Sequence, residues 1–424
     1  MSAGFDAAID SSLQARPREA APGFRRTFVR PQVRLALALK AIANLVIVLL
    51  RRCLWRSLCP SAPGRVCIYR IGNLGDTACA IPAMRAIRLA FPRAHLTLVT
   101  SPGRTGMPGA SELLRGVSWL DEIVVYHSND VAGPRAQLRW VSAMRARKFD
   151  AWIELPPVDA PLRMLVRNMF AAWMSGAGWG FGWRYDRMRL FARAQSELVE
   201  FPNETARLAG LLATGGFAAP AAQNPSENSS LETSDAERAA VDQILAGMRL
   251  ADASFVALAP GAKAPANRWP AERFIEVGRE LAARGIRVVV LGGAGEAGLC
   301  ETIVTAIGTD ARSVAGRTTV RESCELLRRC ALLVCNDSGV QHLASLVGTP
   351  CVSIFSSRDF PGRWFPVAER SVVLRKWVPC HTCFCTECPY DNRCINSVTA
   401  AEAATAAASL LDPAAAPGSE PTPQ

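Results

Sequence analysis

The sequence predicts an α/β protein built from two Rossmann-like domains, each with a parallel sheet. Two stretches show the same order of buried strand, polar glycine-containing turn, amphipathic helix and second strand, one beginning at Arg65 and the other at Ala331. Consecutive strands joined by a crossover helix lie parallel, so each stretch is a βαβ unit. The 424 residues, half of them hydrophobic, are enough for two full-sized cores.

Composition divides the chain into five parts. The boundary between the two domains lies in a stretch rich in Ala, Pro, Asn and Ser, after which Ser234 and Glu237 form a capping box that opens a helix. The predicted parts are a basic amphipathic segment, an N-terminal domain, a linker with its helix, a C-terminal domain and a disordered tail, at 1–60, 61–216, 217–250, 251–411 and 412–424.

Positive charge is concentrated at the N-terminus. Residues 1–60 contain ten Lys or Arg and three Asp or Glu, and so carry +7 of the formal net charge of +11. The other residues together carry only +4, which does not favour a nucleic-acid footprint over the body of the protein. We therefore expect no nucleic-acid partner.

An apolar run lies inside this basic segment, from Leu35 to Leu50, interrupted by Lys40 and Asn44. Its sixteen residues fall short of the roughly 20 needed to span a bilayer, and no signal-peptide cleavage pattern follows. The run predicts a helix that lies on an anionic membrane surface, with arginines at the headgroups. The alternative is a helix packed on the protein's own surface.

The turn after the first predicted strand presents a carboxylate at the carboxyl end of that strand. Gly72 and Gly75 permit a tight loop with close backbone approach, and Asp76 follows at the start of the helix. A carboxylate at this place can cap the helix or act as a general base, and Asp is a preferred capping residue.

The turn after the strand at Ala331 suits an anionic ligand. Asp337, Ser338 and Gly339 precede a helix, whose N-terminal backbone amides attract phosphate, and His342 lies in its first turn. We expect a phosphorylated ligand there. The alternative is a capped helix start in which His342 is ordinary packing.

A third loop contains a glycine string, formed by Gly293, Gly295 and Gly298. A dinucleotide site also needs an acidic residue about 20 positions further on, at the end of the next strand, and that strand runs instead into Gly316 and Arg317. The loop is therefore expected to contact at most a phosphate or a ribose, with Glu296 as an acceptor for hydroxyl groups.

The fourteen cysteines form two groups. Nine are scattered through predicted strands and helices, as is typical of small buried hydrophobes in a reducing compartment. Five lie between positions 380 and 394, and four of them have a spacing that could close a structural zinc site: Cys380, Cys383, Cys388 and Cys394. Uncoordinated thiols are the alternative.

Four blocks of the sequence resemble the ADP-heptose:lipopolysaccharide heptosyltransferases, glycosyltransferase family 9. They are similar to that family's N-terminal loop and helix, nucleotide-side loop, ribose loop and diphosphate-binding signature, and they read RIGNLGDTACAIPAMRAIRLAFP, PGAKAPANRWPAERF, LGGAGE and NDSGVQHLASLVGTPCVSIF. The blocks occur in the family's order over about residues 65–411.

The resemblance implies a GT-B fold, with the two domains facing a cleft, and an inverting sugar transfer without a catalytic metal. The donor would be an ADP-sugar and the acceptor a lipopolysaccharide core or related lipid-linked saccharide. Such an enzyme would be cytoplasmic, peripheral on the inner face of the inner membrane.

The resemblance also implies roles for individual residues. Asp76 matches the general base and Glu296 the adenosine ribose position. The diphosphate positions are Asp337, Ser338, Gly339 and His342, and the nucleotide-side loop supplies Gly261, Lys263 and Arg268. Many members have a basic residue where this chain has Asn267, so Lys263 or Arg268 is expected to supply that charge.

Two other functions are compatible with single features of the sequence. The glycine string would suit an NAD-dependent oxidoreductase. The cysteine group with the basic segment would suit a non-enzymatic, membrane-associated metal-binding protein.

Overall fold

The computed structural model describes residues 30–55, 59–103, 108–198, 201–217, 231–250, 253–368 and 370–412. The predicted tail, apart from Asp412, and most of the first thirty residues lie outside these ranges. The described chain forms two compact units, residues 30–217 and 231–412. Each is an α/β unit with one parallel sheet, so the predicted fold class is confirmed.

The N-terminal unit has a five-stranded parallel sheet with the order β3-β2-β1-β4-β5. The first strand, β1, is buried along most of its length, as its apolar sequence predicts. The strands are β1 Arg65–Ile71, β2 His95–Ser101, β3 Glu122–Val125, β4 Ala151–Glu154 and β5 Trp179–Phe181. The helices are α1 Pro31–Leu54, α2 Leu74–Ala90, α3 Ala110–Leu113, α4 Pro134–Arg145, α5 Leu162–Met174, α6 Ala192–Leu198 and α7 Glu204–Ala213.

Helix α1 belongs to this unit, whereas the sequence set residues 1–60 apart. The helix is also longer than the apolar run that predicted it, with 24 residues. One stripe of the helix, including Val33, Ala36 and Ile47, is buried against the N-terminal unit because these residues recur at helical spacing. Ile47 and Trp55 join the aromatic core of the unit, together with Trp152.

The C-terminal unit has a six-stranded parallel sheet with the order β11-β10-β9-β6-β7-β8. Its strands are β6 Phe255–Ala259, β7 Arg287–Val290, β8 Ala311–Ser313, β9 Leu332–Asn336, β10 Cys351–Phe355 and β11 Ser371–Arg375. Its helices are α8 Asp235–Gly247, α9 Ala271–Ala283, α10 Ala297–Ile307, α11 Val320–Arg329, α12 Gly339–Val347, α13 Arg393–Asn396 and α14 Ala400–Leu411.

Strand order places the candidate loops. In the N-terminal sheet the chain adds β2 and β3 on one side of β1 and then adds β4 on the other side. In the C-terminal sheet it likewise adds β7 and β8 on one side of β6 and then β9 on the other side. Ligands of open parallel sheets bind beyond the carboxyl ends of the strands at such a switch point. Asp76 follows β1, and Asp337 follows β9.

Candidate functional site

The C-terminal unit gathers the three predicted nucleotide loops at one edge of its sheet. Strands β9, β6 and β7 are neighbours, and all run parallel. The loops that follow them, with the first turn of α12, carry eight of the residues predicted from the sequence, namely Gly261, Lys263, Arg268, Glu296, Asp337, Ser338, Gly339 and His342.

The loops after β6 and β7 pack tightly on each other. A side chain at Gly261 would place its Cβ 1.8 Å from Oε1 of Glu296, so any larger residue there would have to displace that carboxylate. The other oxygen of Glu296 accepts a 2.9 Å hydrogen bond from the backbone N–H of Gly293. The carboxylate of Glu296 is therefore fixed between the two loops, and it stays partly exposed.

The N-terminus of helix α12 has the features of an anion site. Ser338 precedes the helix with an extended backbone, and its side chain does not cap the helix. Its Oγ is buried and lacks a hydrogen-bond partner among the described residues. Free amides of a first helical turn and an unsatisfied hydroxyl group are the donors that a phosphate needs.

Asp337 does not present a free carboxylate to this anion site. Its Oδ1 accepts a hydrogen bond from Nε2 of Gln341 at 3.1 Å, and its Oδ2 accepts one from Nδ2 of Asn267 at 3.0 Å. Burial and, to a smaller extent, the nearby Asp359 carboxylate raise the pKa of Asp337 to about 7, against the opposing effects of Arg358 and the two hydrogen bonds. A carboxyl that is partly neutral at physiological pH repels a bound phosphate less than an ionised one would.

Asn267 occupies the position where a basic residue was expected. It is buried, and its Oδ1 accepts a 2.6 Å hydrogen bond from Oγ of Ser356. It therefore ties the loop after β10 to Asp337 and cannot supply charge. The side chains of Lys263 and Arg268 on the same loop are exposed, although Nε of Arg268 donates to the backbone oxygen of Ala262 at 2.9 Å.

His342 lies in the first turn of α12 but is almost fully buried. Its ring packs edge-to-face against Trp364, with ring centroids 6.2 Å apart. This matches the packing alternative for His342 more closely than an exposed ligand contact, and its diphosphate role stays a prediction.

In the N-terminal unit, Asp76 folds back over the loop that precedes it. Its Oδ2 accepts a 3.0 Å hydrogen bond from the backbone N–H of Asn73, so the capping role is present. A Cβ at Gly72 would lie 2.4 Å from the Cβ of Asp76, which requires glycine there. The side chain of Asp76 is 24% exposed, and its Oδ1 lies 3.6 Å from the buried guanidinium of Arg70. The carboxylate can thus cap the helix and still be reached from outside.

A second carboxylate of this unit, Glu154, went unrecognised in the sequence. It ends β4 and is 1% exposed, with Oε1 accepting a 2.8 Å hydrogen bond from Asn168. Burial raises the pKa of Glu154 to about 8, even though Asn168, the indole of Trp152, Arg167 and the indole of Trp183 all act to lower it. The available signal was a charged residue inside the apolar strand pattern FDAWIEL.

Four cysteines of the group lie in the loop after β11, and Cys394 lies in the short helix α13. The backbone is left-handed at Thr382 and Phe384, and the buried Sγ of Cys394 accepts a 3.3 Å hydrogen bond from the N–H of Ser357. Within the described ranges, no three His, Cys, Asp or Glu side chains form a group that could hold a metal ion. The structure thus does not assemble Cys380, Cys383, Cys388 and Cys394 as ligands, and the zinc site stays a prediction.

Known proteins resemble the chain in both sequence and fold. The model of the family "Glycosyltransferase family 9 (heptosyltransferase)" matches residues 138–393, more than half of the chain. "Lipopolysaccharide heptosyltransferase 2" of Escherichia coli (strain K12) is 32% identical over 127 residues, which are 28% of this chain and 36% of that relative. The chain therefore matches only about a third of the length of that curated relative.

Two solved structures share the fold. A glycosyltransferase of family 9 from Veillonella parvula DSM 2008 superposes with a TM-score of 0.67 at 20% identity, covering 84% of this chain and 99% of that one. The ADP-heptose lps heptosyltransferase II of E. coli superposes with a TM-score of 0.58 at 17% identity, covering 82% and 98%.

Proposed function

Because the chain belongs to glycosyltransferase family 9 (heptosyltransferase), we propose that it is an inverting glycosyltransferase. It transfers a heptose or a related sugar from an ADP-sugar to a lipopolysaccharide core or related glycolipid acceptor. The observation that carries the proposal is the anion site at Ser338, whose buried hydroxyl has no partner within the described chain. The printed name of the E. coli structure, which includes ADP-heptose, supports this choice of donor.

The donor nucleotide would use the three loops of the C-terminal unit. The diphosphate takes the amides at the start of α12 and the hydroxyl of Ser338, and the exposed Lys263 and Arg268 neutralise it. The fixed carboxylate of Glu296 accepts hydrogen bonds from the ribose hydroxyls. As the bond from sugar to phosphate breaks, the same helix amides and cations stabilise the charge that develops on the leaving ADP.

The acceptor hydroxyl must lose its proton while it attacks the anomeric carbon. We assign this proton to Asp76, whose carboxylate is fixed by the Asn73 amide yet remains accessible. One displacement then forms the new glycosidic bond and releases ADP, with inversion at the anomeric carbon.

A dinucleotide-dependent oxidoreductase is disfavoured by the geometry of the glycine string. The N–H of Gly293, which would face a pyrophosphate, already donates to Glu296. The same hydrogen bond holds the Glu296 carboxylate beside Gly261, and its negative charge would repel the pyrophosphate of a dinucleotide bound at the glycine string.

Helix α1 suits a lipid-linked acceptor because it presents a wide apolar surface. Within the described part of the chain, it alone has the length and composition to cross a membrane. Polar contacts hold its other face to the rest of the N-terminal unit. Lys40 forms an ion pair with Asp186, and the side chains of Asn44 and Arg51 donate hydrogen bonds to the backbone oxygens of Tyr185 and Gly180. At the two ends of the helix, Arg30 pairs with Glu197 and the indole of Trp55 donates to the backbone oxygen of Ala177. A helix docked along its whole length cannot span a bilayer without leaving the domain.

We therefore propose that α1 lies in the plane of an anionic membrane surface. Its outward residues include Leu35, Ile42, Leu45 and Leu49, each more than half exposed. Burying such side chains in the interface is favourable by on the order of 1 kcal/mol or more each. This surface would place the enzyme on the cytoplasmic face of the inner membrane, next to its acceptor.

Vesicle binding tests the membrane surface with a matched control. Leu45 on α1 and Leu138 on α4 are both 58% exposed. We expect Leu45→Glu to reduce co-sedimentation with vesicles that contain anionic phospholipid by tenfold or more, and Leu138→Glu to leave it unchanged. Equal binding by both variants would refute the assignment of α1.

Transfer assays test the enzymatic function. The purified protein should form ADP and a glycosylated product when ADP-heptose is mixed with a delipidated lipopolysaccharide core acceptor, and mass spectrometry should show one added sugar. Other ADP-sugars, tested in parallel, identify the donor. Absence of ADP binding and of transfer from every ADP-sugar would overturn the proposal and favour a non-enzymatic binding protein.

A further inference from the structure

The candidate base Asp76 rests on a buried guanidinium. Arg70, at the end of β1, is completely buried. Its NH2 donates to the backbone oxygen of Asp76 at 3.0 Å and lies 3.6 Å from Oδ1 of the same residue. Its NH1 donates to the backbone oxygens of Leu155 and Pro156, at 3.1 and 3.2 Å. Three backbone acceptors thus fix the position of this cation against Asp76.

A buried carboxylate on α7 balances that cation. Oε1 of Glu204 accepts a hydrogen bond from NH2 of Arg70 at 3.1 Å. Arg207 donates two hydrogen bonds to the same carboxylate, from Nε to Oε2 at 2.6 Å and from NH2 to Oε1 at 2.8 Å. Glu204 is 1% exposed, so each of these charges depends on its partner for compensation.

The pairing continues to the surface of the unit. NH1 of Arg207 donates to Oδ2 of Asp186 at 2.9 Å, and Oδ1 of Asp186 pairs with Lys40 on helix α1 at 3.1 Å. Burial alone would raise the pKa of Asp186, but Lys40, Arg207 and Arg184 together hold it below its ordinary value. Charges of alternating sign therefore run without a gap from α1 to Asp76.

We propose that this chain of ion pairs, Lys40–Asp186–Arg207–Glu204–Arg70–Asp76, positions the catalytic carboxylate, with Arg70 as the positioning residue and helix α1 as its outer end. The inference rests on the proposed function of Asp76 as the base. It changes the role of the N-terminal segment, which then supports sugar transfer as well as contacting lipid. A removable membrane anchor would have no link to the reaction.

The members of the ion-pair chain affect Asp76 in different ways. The charged groups near Asp76 are Arg70 on β1 and, paired with it, Glu204 on α7. The buried thiol of Cys79, on the same helix as Asp76, stays neutral because burial raises its pKa well above the ordinary value. Neutralising Glu204 leaves the charge of Arg70 to act on Asp76 alone, which favours the ionised carboxylate and weakens it as a base. Removing Lys40 breaks the outermost ion pair of the series. Asp76 is then held less firmly, although the charges next to Asp76 do not change.

The kinetic test uses the full-length protein with ADP-heptose and a delipidated core acceptor. We expect Glu204→Gln to lower kcat several-fold and to move the acid limb of its pH profile to lower pH, with ADP affinity unchanged. Arg70→Lys should lower kcat about tenfold at constant KM for the donor, since lysine keeps the charge but not the forked geometry. Lys40→Met should lower kcat several-fold. The matched control is Arg30→Met. It removes the ion pair between Arg30, at the start of α1, and Glu197, which is not part of the proposed chain of ion pairs.

Two results would overturn the proposal. One is wild-type kcat and an unshifted pH profile in a folded Glu204→Gln variant. The other is a loss of kcat, ADP affinity and thermal stability in proportion in every variant, which would reduce the network to a structural role.

A second measurement separates this inference from the proposed function. If the wild-type protein transfers no sugar, the function fails, but hydrogen exchange still reports on the position of Asp76. The Asn73 amide, which donates to that carboxylate, should exchange faster in Glu204→Gln and Lys40→Met than in wild type or Arg30→Met. Equal exchange in all four proteins would refute the positioning role.

Discussion

The buried carboxyl of Glu154 makes the stability of the N-terminal unit depend on pH, and Glu154→Gln should remove that dependence. The pKa is about 8 in the folded protein, against 4.5 for an ordinary glutamate. Because the folded protein binds this proton more tightly than the unfolded chain, the stabilisation is complete below about pH 4.5. It is lost as the pH rises through 8.

The two pKa values set the size of the effect. Each tenfold change in proton affinity is worth about 1.4 kcal/mol, so raising the pH from about 5 to about 9 should cost on the order of 4 kcal/mol of folding free energy. Glutamine keeps an acceptor for the Asn168 amide, which lies 2.8 Å from Oε1, and cannot ionise. It should resemble the protonated glutamate at every pH.

Urea unfolding of wild type and variant across this pH range measures the difference. The matched control is Glu122→Gln on β3 of the same sheet, where burial alone would raise the pKa but Arg147 and Thr97 lower it. Because the pKa of Glu122 is lowered, its contribution to stability is lost only in acid. The Glu122→Gln variant should therefore still lose stability at alkaline pH, as wild type does through Glu154. Parallel curves for wild type and Glu154→Gln between pH 5 and 9 would refute the reasoning.

Three further predictions concern Asp76, the nucleotide loops and the cysteine group. Asp76→Asn should lower transfer by on the order of 10²- to 10⁴-fold while calorimetry shows unchanged ADP affinity, and a variant that keeps a third of the wild-type rate would exclude Asp76 as base. Gly261→Ala should weaken ADP binding about tenfold or more, because its Cβ would displace Glu296, whereas Gly295→Ala, with open space around it, should not. If the cysteine group binds structural zinc, elemental analysis of the reduced protein should give about one zinc per chain. The double variant Cys383→Ser, Cys388→Ser should then have a lower Tm without a matching loss of ADP affinity. Finding no metal in the reduced protein would exclude the zinc site.

Local patterns predicted the fold and the loops well because both are encoded by short stretches of sequence. Apolar runs of strand length gave β1 and β9, and the glycine-containing turns placed Asp76 and Ser338 at the carboxyl ends of these strands. At positions 72 and 261 the structure shows why glycine is favoured, since the side chain of Asp76 or of Glu296 occupies the space of the missing Cβ.

Contacts between distant segments could not be predicted in the same way. Arg70 and Glu204 are 134 residues apart, and no spacing rule relates a strand end to a helix start at that distance. Lys40 looked like an interruption of an apolar run, whereas in the structure it forms an ion pair with Asp186. The length of α1 was also underestimated, because arginines that end an apolar run do not end a helix.

Asn267 shows how a departure from a family pattern can be explained by the surrounding structure. A lysine or arginine there would only donate hydrogen bonds, whereas the amide of Asn267 accepts one from Ser356 and donates to Asp337. That arrangement suits an Asp337 whose pKa is near 7, since a partly neutral carboxyl needs a hydrogen-bond donor more than a buried cation. Under the proposed function, the positive charge for a diphosphate would come from Lys263 and Arg268, which are exposed on the same loop.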